Sequence, residues 1–152
     1  MAYRSSEARR DLLETVADAT DELAVALAAL GAAYEQLDTN TADRLEEQLF
    51  RPAQLAYARA RRVHSGFAER HGLPARSFEP ASAGLPSQGV RGFIERAIDA
   101  IDAADDTLAE LQDSMMPVEV GDAELRAGLA SVRELIAQLQ TRAPDLIRTL
   151  GR

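Results

Sequence analysis

Four stretches of the chain carry apolar residues at alternating steps of three and four. The first reads Leu13, Val16, Thr20, Leu23, Leu27, Leu30, Tyr34, Leu37. The second, Leu45, Leu49, Pro52, Ala56, Ala60, Val63, Phe67, is thinner and rich in alanine. The third reads Val90, Ile94, Ala97, Ile101, Ala104, Leu108, Leu111, Met115, and the fourth Leu125, Leu129, Val132, Ile136, Leu139, Ala143, Leu146, Leu150. Steps averaging about 3.5 keep one seam of an α-helix facing a partner helix. The pattern predicts an all-α chain, a long antiparallel four-helix bundle filling residues 1–152 as a single domain.

The punctuation between the stretches sets the boundaries. Ser6 reads as the amino-terminal cap of a first helix over 6–37. Asp38, Thr39, Asn40 and Thr41 break the pattern and cap a second helix over 42–71. Gly72 falls where a left-handed carboxy-terminal cap is wanted, with Pro74 soon after. A proline-rich loop over 73–89, holding Pro74, Pro80 and Pro86, precedes a third helix over 87–116. Pro117 to Gly121 reads as a turn, and Asp122 as the cap of a fourth helix reaching 150. Pro52 and Pro144 each delete a backbone hydrogen bond inside a helical pattern, so local kinks are expected at both.

Short connections elsewhere favour up-down-up-down order, with the proline-rich loop as a slack hairpin. Charge blocks point weakly to a crossover instead. Asp99, Asp102, Asp105, Asp106, Glu110 and Asp113 crowd the third helix, and Arg59, Arg61, Arg62, Arg70 and Arg76 the end of the second. Exposed ion pairs contribute only ~0–1 kcal/mol each and do not decide topology.

Composition narrows the function more than it defines it. There is no cysteine, which removes disulfide and thiol chemistry. The net charge of −8 makes a nucleic-acid partner unlikely in electrostatic terms. All basic residues are arginine, as codon usage in a GC-rich genome would produce. The amino-terminal stretch lacks the apolar core of a secretion signal, and the most apolar run, 23–34, is shorter than the ~20 residues that span a bilayer. A cytoplasmic protein without membrane contact is the expectation.

No catalytic or metal pattern emerges. Carboxylate-bridged iron needs Glu-x-x-His on two helices, and neither His64 nor His71 has a Glu three residues before it. Seven residues of helix hold the two histidines about 10.5 Å apart, too far to chelate one ion. Calcium-loop, phosphate-loop, dinucleotide and nucleophile-elbow motifs are absent. The chain therefore reads as a non-enzyme without cofactor.

Three features remain as candidates. Phe50, Tyr57, His64 and His71 recur every seven residues along the second helix, beside the small-residue seam of Ala53, Ala56 and Ala60. With Arg61 they form either a roof over that seam or a face for a partner helix or flat ligand. Val25, Ala29 and Ala32 form a second apolar stripe on the first helix, which either receives the loop through Phe78 and Leu85 or receives a second copy of the chain. The run from Met115 to Val120 is apolar for a connection and either plugs the bundle end or makes adaptable contacts. The leading expectation is an interaction or scaffold protein able to dimerise. The alternative is a bundle that binds an apolar or aromatic small molecule near Tyr34, Tyr57 and His64.

Overall fold

A computed structural model describes residues 2–150, so the outermost ends of the expected 1–152 domain lie outside it. Among the described residues the structure is all-helical, without strands, and four long rods dominate. Helix α1 spans Ala2–Glu35. The second rod is continuous: α2, Thr39–Leu45, passes through a π-helical turn, Glu46–Phe50, into α3, Arg51–Arg70. A 3-10 turn, Pro86–Gln88, leads into α4, Gly89–Asp113. A short α5, Met116–Val120, precedes α6, Ala123–Leu150.

Local chemistry explains most boundaries. Ser6 is not a cap, because α1 begins before it. Asp38 caps the second rod, its Oδ1 accepting from Thr41 N–H at 2.8 Å. Gly72 adopts φ 63°, letting Leu73 N–H reach Ala68 C=O at 2.8 Å and close the end of α3. Asp122 caps α6 by accepting from Leu125 N–H at 2.9 Å.

The two interior prolines are absorbed differently. Pro52 lacks an N–H and its ring crowds the carbonyl of Gln48. The chain answers with the wide turn just before it, where Arg51 N–H bonds Glu46 C=O five residues back. That extra residue shifts the seam, so Ala53 is buried and Pro52 only half-buried. Around Pro144, α6 runs on without a break.

One core draws on every long rod. α1 packs against α3 and α4, and α6 packs against the same two, so α3 and α4 occupy opposite corners. Gly128 lets α6 come close to α3, since a β-carbon there would stand 2.6 Å from Val63. The expected order is corrected by the end contacts. Arg70, ending α3, pairs with Asp122 at the start of α6, and Arg44 near the start of the second rod reaches Thr149 at 3.5 Å near the end of α6. The second rod and α6 are thus antiparallel. The tight connection through α5 makes α4 antiparallel to α6 as well, so α3 and α4 run the same way. The rods go up, down, down, up.

The segment 71–88 is accordingly a crossing segment and not a hairpin. Arg76 pairs with Asp21 partway along α1, and Gln36, just past the end of α1, donates to Pro86 C=O at 3.4 Å. About fifteen extended residues cover ~50 Å, enough to pass a rod of ~38 Å such as α4.

Candidate functional site

The crossing segment lies over the groove between α1 and α3, which changes what the ring column faces. Ala58, Arg61, Arg62 and Ser65 share one face of α3 through i, i+3, i+4, i+7 spacing. Arg76, Ser77 and Phe78 of the crossing segment face them. Together with His64 they line an open pocket of about 460 Å³.

His64 is buried, at 2 % exposure. Its ring meets Phe78 nearly perpendicular, at 5.0 Å between centroids, an edge-to-face contact. The Arg76 guanidinium lies 4.6 Å from the centre of the Phe78 ring and is held in turn by Asp21 of α1. This chain of contacts pins the crossing segment between two rods. Burial lowers the His64 pKa below its ordinary value, and the charge of Arg76 lowers it further against a smaller opposing effect of Asp21. The ring is therefore neutral at pH 7, with Nδ1 buried and without a hydrogen-bond partner among the described residues. Leaving such an atom unmet costs ~1–3 kcal/mol.

Arg61 and Arg62 are exposed at the pocket mouth, and neither guanidinium has a carboxylate partner among the described residues. Arg61 reaches back over the Tyr57 ring, 5.5 Å from its centre. Tyr57, Arg61 and His64 are thus brought to one place. The other members of the expected column are not. Phe50, half-buried, sits two turns above Tyr57, its ring beside Gly31 of α1. His71 turns toward α6 at the opposite end, its Nε2 2.9 Å from Asp122 Oδ2 and its ring 4.3 Å from Phe67.

That end holds a second polar cluster. Arg70 makes two hydrogen bonds to Asp122, at 2.9 and 3.0 Å, and a third to Glu124 at 2.9 Å. Burial alone would raise the Asp122 pKa, but hydrogen bonds from Arg70, Leu125 N–H and His71 outweigh it and bring it to about 2. The cluster ties the end of α3 to the start of α6.

The alanine stripe is taken up inside the chain. Ala29 is fully buried, and Val25 and Ala32 are half-buried against the core. Val25 borders a shallow groove shared with Gly92, Asp99 and Ala100 of α4. The loop docks elsewhere: Phe78 lies on His64 and Leu85 is exposed. At the α4–α6 turn, Pro117 is buried while Met115 and Val118 are exposed. Tyr34 is exposed and far from the pocket, on the last turn of α1.

A second opening, of about 480 Å³, lies between α4 and α6 and is strongly apolar. Ile98, Ile101, Leu139, Ala143, Pro144 and Ile147 border it, and Gln140 donates to Asp102 at 2.9 Å across it. Among the described residues no three acidic, histidine or cysteine side chains gather to hold a metal ion, and no helix is long and apolar enough to cross a membrane.

The sequence pattern missed the crossing-segment half of the pocket. Arg76 and Phe78 stand in a loop without periodicity. The available signal was a lone ring two residues after an arginine, in a segment long enough to reach across the groove.

No known protein family, characterised protein or solved structure with which the chain was compared matches it.

Proposed function

We propose that this chain, a long antiparallel four-helix bundle, is a non-enzymatic binding protein that takes a small molecule between α3 and the crossing segment. The observation that carries the reading is an open pocket walled by the Phe78 ring and by His64, a buried neutral imidazole packed edge-to-face against it. A volume of about 460 Å³ falls in the range of small-molecule sites, roughly 300–1,000 Å³. Ring side chains over a pocket favour a ligand, where a flat apolar patch would favour a protein partner.

Native mass spectrometry of the gently purified protein tests this. The unmodified chain is expected to carry added mass that denaturation releases. Ala58→Trp, which fills the pocket from α3, is expected to keep its helix content and lose that mass. Equal retention by both proteins would remove the reading.

A second reading, self-association or scaffolding through helical contacts, is favoured by the apolar groove between α4 and α6. Sedimentation of the unmodified chain and of Ile147→Glu at high concentration tests it. A monomer in both cases speaks against a second copy in that groove.

A further inference from the structure

The charge around the pocket runs against that of the whole chain. The sequence has 25 acidic and 17 basic residues, yet the pocket is lined by three arginines and no carboxylate. Asp21 engages Arg76, which leaves Arg61 and Arg62, two pocket-lining residues, without an ion-pair partner among the described residues. A guanidinium presents a planar fork of donors that matches a carboxylate or phosphate. Ser65 and Ser77 add hydroxyls, and the buried His64 ring borders the same wall. The remaining surface is carbon, from Ala58, the Phe78 ring and the arginine stems. A bare inorganic ion would leave that surface against water.

We infer that the ligand is a small organic oxyanion, a carboxylate or phosphate joined to an apolar body, held by Arg61 and Arg62 against Phe78. This rests on the ligand-binding reading of the pocket. Arg61 and Arg62 supply the charge from the exposed face of α3. Phe78 supplies the apolar contact from a segment anchored through Arg76 and Asp21.

Calorimetric titration of the full chain at low salt, with phenyl phosphate, benzoate, benzyl alcohol and inorganic phosphate, tests the inference. Phenyl phosphate or benzoate is expected to bind at least about tenfold tighter than the neutral alcohol, and the stronger of the two identifies the head group. Arg61→Gln and Arg62→Gln are each expected to weaken that binding about tenfold. Arg142→Gln, an equal charge change at an exposed site on α6, is expected to leave it unchanged. Benzyl alcohol binding as well as the anions would overturn the oxyanion inference and leave the pocket reading standing. Inorganic phosphate matching phenyl phosphate would overturn the apolar body. Equal losses in Arg142→Gln and Arg61→Gln would overturn the placement. No binding of any probe at millimolar concentration would overturn both the inference and the pocket reading.

Discussion

Replacing Asp122 with Asn removes one negative charge and keeps a side chain that caps helices about as well. In the native protein Asp122 accepts two hydrogen bonds from Arg70, one from His71 and one from Leu125 N–H, with only 7 % of its side chain exposed. These bonds hold its pKa at about 2 against an ordinary 3.8. Each pKa unit corresponds to ~1.4 kcal/mol, so the charged form stabilises the fold by about 2 kcal/mol at neutral pH. The sign follows from a carboxylate with a depressed pKa. Its contribution is complete above the unfolded value and is lost as pH falls from about 4 to about 2. Urea denaturation followed by circular dichroism should therefore find Asp122→Asn about 2 kcal/mol less stable than the unmodified chain at pH 7. At pH 2 the gap should shrink to below ~0.5 kcal/mol. Asp122→Ala should lose a further ~1 kcal/mol through the missing cap. A gap under about 0.5 kcal/mol at pH 7, or one that stays constant down to pH 2, would refute the reasoning.

His64 gives the opposite titration. Its pKa lies below the unfolded 6.5, so the unfolded chain takes up the proton first and His64 disfavours folding as pH drops through that value. The stability of His64→Leu relative to the unmodified chain should rise as pH falls from 7 to 5, as denaturation curves at each pH would show. Glycine to alanine inside a helix ordinarily gains ~1 kcal/mol. Gly128→Ala should instead lose about 1–3 kcal/mol against Val63, and adding Val63→Ala should recover part of it in thermal melts. Ile101→Ala should cost ~2–5 kcal/mol in urea denaturation, because Ile101 is 2 % exposed. Leu27, expected from its seam position to be equally central, is half-buried and should cost less.

The helices themselves were legible because amphipathic periodicity is a local signal. Val16, Leu23, Leu30, Ile94, Leu108, Leu129 and Ile136 all lie in the core as their spacing requires. Caps were legible for the same reason at Asp38, Gly72 and Asp122, where one side chain or one φ angle decides the boundary. Chain direction was not, because it depends on where 71–88 goes, and prolines rule out helix without choosing a route. The charge blocks suggested a crossover for a reason that does not operate. Arg76 pairs with Asp21 of α1, and Arg133 of α6 takes Asp105, so the blocks on α3 and α4 never meet. Tyr57 and His64 are related by their seven-residue spacing with Arg61 beside them on the same helix, whereas Arg76 and Phe78 became neighbours only through the route of the crossing segment. The stripe of Val25, Ala29 and Ala32 is buried at Ala29 and half-buried at the other two; periodicity reports an apolar face without saying which neighbour covers it.

The crossing segment also divides the labour of the chain. The α1–α3 hairpin and the α4–α6 hairpin each form over short connections, and they meet along α1 and α4 and along α3 and α6. What joins them is a tether whose residues are mostly exposed, with Leu73 and Ala83 packed against the edge of the core. A protease cut at the exposed residues Glu79 and Pro80 would leave two helical halves held together by their shared apolar face. It would separate neither half from its own partner helix. One wall of the pocket is therefore built from chain that lies at the edge of the core and outside the helices. On the ligand-binding reading proposed above, substitutions at Ser77, which is exposed, would alter what that wall accepts while the rods keep their packing, so selectivity and stability would rest on different residues.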